Sequence, residues 1–151
     1  MSDILSIEAQ IERMKVCWPD FILIGKKDRI AAWRGRVRPL LQRYVIEVAY
    51  RAPLAIETLD ARRLQPRVSI LSPALRPRPG DPEGRLPHVY YDPDGGVTLC
   101  LLDPMANDWT PLDFVAETTI PWAIEWLAAY EGWRATGVWT ASGRHVEPTD
   151  V

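Results

Sequence analysis

Cysteine is scarce in this chain, and its scarcity removes several classes at once. Only Cys17 and Cys100 occur in 151 residues. Two cysteines cannot build a disulfide-rich scaffold, and a chain of this length does not need one to fold. Histidine is equally rare, at His88 and His145. None of these four residues falls in a zinc-ligand spacing, so no metal site is expected. Apolar runs long enough to span a membrane are missing. The opening Met1-Ser2-Asp3-Ile4-Leu5 has no basic region followed by an apolar one, so no secretory signal is expected. The chain therefore reads as cytoplasmic, with both thiols reduced. A formal net charge of −2 offers no global attraction for nucleic acid or an anionic membrane. There is no Gly-rich phosphate loop and no nucleotide-binding βαβ unit. No cofactor is expected, and any ATP-dependent activation falls to another protein.

What is present is an ordinary globular composition, 47% hydrophobic and 25% charged, expected to form one domain over residues 1–151. The positive charges cluster. Arg29, Arg34, Arg36, Arg38, Arg43 and Arg51 crowd one stretch, and Arg62, Arg63, Arg67, Arg76, Arg78 and Arg85 follow. Solvated strand faces and loops account for them; a docking face for an acidic partner is the other reading.

The periodicities place the elements. Ile4, Ile7, Ile11 and Met14 recur at spacings of three and four, the apolar face of a helix capped by Ser2 or Asp3 and ended by Pro19. Phe21–Ile24, Ile30–Val37, Tyr44–Tyr50 and Pro66–Leu71 are strand candidates. The stretch from Ser72 to Pro87 is dense in Pro, Arg and Gly and reads as an extended loop. Asp92-Pro93-Asp94-Gly95-Gly96 is a turn, and Val97–Leu102 a short apolar strand carrying Cys100. After Pro111 the pattern turns helical. Thr118 or Thr119 can cap, Pro121 suits the first turn, and Trp122, Trp126, Tyr130 and Trp133 form an apolar stripe that reads as core. Gly137 closes the helix region, and the tail Ser142-Gly143-Arg144-His145 is polar. Strands first and helices after argue for an α+β fold, with helices on one face of a mainly antiparallel sheet of about four strands.

Cys100 is the residue with chemistry. His88 lies twelve positions before it, and Trp109-Thr110-Pro111 begins nine positions after it. Alone among Leu99, Leu101 and Leu102, a cysteine is a small core residue. Its setting changes that. Leu86-Pro87-His88, then Gly96-Val97-Thr98-Leu99-Cys100-Leu101, then Trp109-Thr110-Pro111 resembles the active-site region of ubiquitin-conjugating (E2) enzymes. There His-Pro-Asn, Gly-x-Ile-Cys-Leu and Trp-Ser-Pro recur in that order.

The C-terminal half is similar to a narrower group. Thr119–Leu127, Tyr130–Trp133, Thr136–Trp139 and Ser142–His145 resemble the bacterial E2-like proteins of short type II CBASS anti-phage operons. The resemblance covers residues 65–145 well and the N-terminal part by element order.

The resemblance implies a ubiquitin-conjugating (UBC-like) fold and acyl transfer through a thioester at Cys100. It implies that the acyl donor is the C-terminal carboxylate of a cGAS-like nucleotidyltransferase (CD-NTase), conjugated to prime cyclic-oligonucleotide signalling; activation by a separate E1-like protein, or no ATP-dependent activation at all, are both open from the sequence. His88 aligns with the family's oxyanion-stabilising Asn, while Leu86 replaces the family's His, and the segment from His88 to Cys100 is longer than in the eukaryotic pattern. His88 is thus the expected assistant, as loop-orienting group, hydrogen-bond donor or base. Asp103 and Asp108 are expected to position the incoming amine, with Asn107 beside them and Asp92 and Asp94 as weaker candidates. Trp109 is expected to cover the core and Pro111 to start the crossing helix.

Two other classes fit the same residues. One is a UBC-like partner-binding module without catalysis. The other is a hydrolase using Cys100 and His88; it lacks an evident orienting Asn or Asp and a helix N-terminus before the cysteine. A Cys17–Cys100 redox pair rests on the cysteine count alone.

Overall fold

The computed structural model describes residues 4–54, 64–81, 83–101 and 109–140. The fold is α+β, as the element order implied, and is consistent with a UBC-like fold. Helix α1 (Ile7–Cys17) leads into strands β1 (Ile22–Lys27), β2 (Ile30–Val37), β3 (Tyr44–Arg51) and β4 (Arg67–Ser72). These four form one antiparallel sheet in chain order. A separate hairpin pairs β5 (Val89–Tyr91) with β6 (Val97–Leu99), and helix α2 (Thr119–Thr136) follows.

The apolar face of α1 is as expected, with Ile7, Ile11 and Met14 buried. Its cap is not. Ser6, rather than Ser2 or Asp3, accepts the Ala9 N–H at 3.0 Å. Ser6 directly precedes the first helical residue, which is where a side-chain oxygen can reach the orphan N–H groups of the first turn.

Register sorts the sheet into two faces. Trp33 lies opposite Val48 and Val37 opposite Tyr44, while Val48 also faces Val68. All of these are buried on one side. On the other side Arg34 pairs across the strand with Glu47 at 3.2 Å. Strand β1 is exposed along its whole length at the sheet edge.

Helix α2 closes the core with Ile120, Ala123, Trp126, Leu127 and Tyr130, all buried. Trp122 and Trp133, the other members of the expected stripe, are only partly buried. Thr118 stands at the N-cap but caps no helix N–H. Its hydroxyl instead donates to the Phe114 carbonyl at 2.9 Å and accepts from the Trp109 indole at 3.2 Å. Trp109 is buried, as expected. Pro111 does not start a helix; it opens a turn in which the Asp113 carboxylate accepts the Thr110 N–H at 2.8 Å. Gly137 ends α2 at φ 83°, a left-handed cap natural to glycine. A side chain there would meet the Arg78 guanidinium, its Cβ 3.1 Å from Nη1. Arg78 thus covers the negative end of the helix dipole. No helix among the described residues is long and apolar enough to cross a membrane.

Candidate functional site

Cys100 follows directly on β6, which ends at Leu99 rather than running on through the cysteine. The ladder pairs Val89 with Leu99, Tyr90 with Thr98 and Tyr91 with Val97. One step further, the Cys100 N–H donates to the His88 carbonyl at 2.9 Å. His88 and Cys100 are therefore opposite each other at the open end of the hairpin.

The other end is the turn read from Asp92 to Gly96. Asp92 N–H donates to the Gly96 carbonyl at 2.8 Å, and the Asp94 carboxylate accepts the Gly96 N–H at 3.0 Å. Gly95 sits at φ 91°, where glycine carries no steric penalty. Asp92 also pairs with Arg67 on β4 at 3.1 Å. Both carboxylates serve the turn and its attachment to the sheet.

Cys100 is half-buried, whereas Leu99 and Leu101 on either side are buried. Its thiol donates to the Tyr90 hydroxyl, with Sγ to Oη 3.3 Å. Gln65, just before β4, donates its side-chain N–H to the same hydroxyl at 3.4 Å. A tyrosine hydroxyl is both donor and acceptor. It can accept from the thiol and, once the thiol ionises, donate to the thiolate. Tyr90 was not singled out in the sequence. Register could have found it, because it lies two pairs in from His88, on the same face and so diagonal to Cys100, within reach of a long side chain.

His88 has φ 55°, in the left-handed region. Asparagine, aspartate and histidine enter that region far more readily than other non-glycine residues. This gives a backbone reason for a histidine at position 88. The imidazole packs on Trp139, ring centroids 4.9 Å apart. The His88 carbonyl also accepts the Trp126 indole N–H at 3.0 Å. Around it, Tyr91 accepts the Leu86 N–H at 3.0 Å, and the Arg85 guanidinium lies 4.3 Å over the Tyr91 ring. The approach to His88 is thus held by a side chain of the hairpin it leads into.

The structure brings together Cys100 and His88 of the residues expected from sequence. Asp103, Asn107, Asp108 and His145 lie outside the described residues. Neither Cys17 nor Cys100 is in a disulfide.

A family model described as "Type II CBASS E2 protein" matches residues 10–146. The chain belongs to the type II CBASS E2 protein family. The match runs from α1 through the Cys100 hairpin and α2, so it takes in the sheet and the site alike. Membership makes this E2 protein E2-like in its general role and places it in a CBASS system. No curated protein matches the sequence.

Proposed function

We propose that this CBASS E2 protein is a conjugating enzyme whose nucleophile is Cys100. The thiolate attacks an activated acyl carbonyl at the C-terminus of a partner protein and expels the activating group. The product is a Cys100 thioester. An acceptor nucleophile, such as an amine, then attacks the thioester carbonyl, loses its proton, and returns Cys100 as the leaving thiolate. Cysteine suits both halves because it attacks well and leaves well. The partner is a cGAS-like nucleotidyltransferase, and conjugation primes its anti-phage signalling. A free carboxylate is too unreactive to be attacked, so a separate E1-like protein supplies the activated acyl group.

The observation that carries this reading is the exposure and bonding of Cys100. Cys100 is half-buried rather than enclosed in the core, and its thiol is bonded to a hydroxyl that can follow its ionisation. In this mechanism Tyr90 stabilises the thiolate. His88 assists by holding the hairpin end through its carbonyl, which accepts the Cys100 N–H. Asp103 and Asp108 orient the incoming amine.

The test is intact mass spectrometry of the wild type and Cys100→Ser, each co-expressed with the neighbouring nucleotidyltransferase and activator genes. A partner-sized adduct is expected on both, thiol-labile on the wild type and a stable ester on the substituted protein. Absence of any adduct on either form, with Cys100 slow toward a thiol reagent in the folded protein, overturns the enzyme reading in favour of a binding module.

A further inference from the structure

We propose that Trp126 is a positioning residue for Cys100, acting through the His88 carbonyl. The inference rests on the thioester reading for its functional meaning but not for its geometry.

The His88 carbonyl takes two hydrogen bonds, from Cys100 N–H at 2.9 Å and from the Trp126 indole at 3.0 Å. A carbonyl oxygen has two lone pairs and can satisfy both donors. The hairpin it belongs to is short, three residues on each strand. Such a two-stranded pair has little stability of its own and needs an external anchor. His88 moreover sits in the left-handed region, a conformation that persists only where the surroundings hold it. Trp126 supplies that hold at the carbonyl that accepts the Cys100 N–H.

The anchor is itself rigid. Trp126 is buried on α2, stacked on Tyr130 (5.6 Å, 14°) and edge-on to Trp139 (5.1 Å, 67°). Trp139 in turn covers the His88 ring. Tyr130 is fixed at its far end, its hydroxyl accepting the Arg76 N–H at 2.7 Å and donating to the Arg76 carbonyl at 3.2 Å. Helix α2 therefore reaches the cysteine's hydrogen-bond partner through the Trp126 indole N–H. What that bond preserves is the 3.3 Å contact between Cys100 Sγ and Tyr90 Oη, which decides whether a hydroxyl faces the thiolate.

Trp126→Phe removes the N–H and keeps an aromatic ring in the stack. Trp133→Phe is the control, since Trp133 contacts Tyr130 and Trp139 in the same cluster. Two readouts need no partner protein. The first is hydrogen–deuterium exchange of the Cys100 amide. The second is the pH dependence of Cys100 alkylation by iodoacetamide, followed by peptide mass so that Cys17 is counted separately.

In Trp126→Phe, exchange at Cys100 is expected to quicken about fivefold, the effect of losing one net hydrogen bond on local opening. The pH of half-maximal alkylation is expected to rise, because a displaced thiolate loses the Tyr90 hydroxyl. Trp133→Phe is expected to leave both at wild-type values. Unchanged exchange and alkylation in a folded Trp126→Phe overturn the proposal, as does an equal change in the control. Should Trp126→Phe fail to fold, the wild type decides: a Trp126 indole proton exchanging as fast as an exposed one sinks the idea. A protected indole and a shifted alkylation profile without any acyl adduct would sink the thioester reading and leave the positioning role standing.

Discussion

Two seams join helices to the rest of this E2 protein, and they are built to different standards. Along α1, Gln10 is fully buried yet satisfied at both ends. Its amide N–H donates to the Asp113 carbonyl and its oxygen accepts the Val115 N–H, each at 2.9 Å. Trp18 donates to the Ala116 carbonyl at 2.8 Å, and Arg13 pairs with Glu117. Along α2 the bonds from Trp126, Tyr130 and Arg134 hold the chain from Arg76 to His88. The same neighbourhood leaves Arg78 Nε, Glu131 Oε2 and Trp139 Nε1 buried without a hydrogen-bond partner. Among the described residues, no such atom lies on the α1 seam. Unpaired buried polar atoms cost stability, and natural proteins tolerate such departures mainly where function is carried. The seam with the departures is the one that holds Cys100.

The sharpest way to break this comparison is to cut the satisfied seam. Gln10→Ala strands both the Asp113 carbonyl and the Val115 N–H. The expected loss is about 2–4 kcal/mol in chemical denaturation, since two buried groups lose their partners at once. A loss below ~1 kcal/mol would mean that α1 contributes little beyond its apolar face.

Alkali probes the core between the seams. Burial, and then the nearby Glu131 carboxylate, push the Tyr44 phenol far above its usual range. Burial alone pushes Tyr50 up to about 12. Unfolded tyrosines ionise near 10. Both pKa values are raised in the folded state, so their contribution is complete below that pH and is lost as pH rises through the folded values. For Tyr50 the loss amounts to about 2–3 kcal/mol between roughly pH 10 and 12. Denaturation curves of wild type and Tyr50→Phe across that window should converge as pH falls and separate as it rises, beyond their offset at neutral pH. A constant offset throughout would show that Tyr50 ionises as it does in the unfolded chain.

That neutral offset is a smaller effect with its own meaning. The Tyr50 hydroxyl is buried without a hydrogen-bond partner, while its ring packs edge-on to Trp109 at 5.2 Å. Tyr50→Phe keeps the ring and deletes the orphan, so a gain of about 1 kcal/mol is expected at pH 7. No gain would undercut the view that the unpaired atoms along α2 are a cost.

The same contrast governs what could be read from sequence. Strand β2 has the bounds the sequence predicts, Ile30–Val37, and every second residue from Ala31 to Val37 is buried. Strand β1 differs from the sequence expectation, which places it at Phe21–Ile24. Its true span includes Gly25, Lys26 and Lys27, which it holds because an edge strand exposed throughout needs no apolar pattern. Strand β5 is invisible in the sequence, since three residues carry no periodicity and form a strand through pairing with β6. At the site, Cys100 and His88 stood out by type and order. Tyr90 did not, because its contact depends on hairpin register. The apolar stripe marks Trp126 as core, which is true of its ring; the role of its N–H depends on where α2 lands.

Cys100→Ser is the mildest change to the fold and the most informative about the second seam. The hydroxyl can keep a hydrogen bond to Tyr90, and the site is half-buried, so little apolar burial is lost. Thermal and chemical denaturation should place the variant within ~1 kcal/mol of wild type, the range of substitutions outside packed cores. Transfer through a thioester should nevertheless stop, with the acyl group trapped as an ester. A destabilisation of about 2–5 kcal/mol, as for deletion of a large core side chain, would instead mark Cys100 as packing. The hairpin would then be a structural element like the α1 seam, and the difference between the two seams would lose its functional meaning.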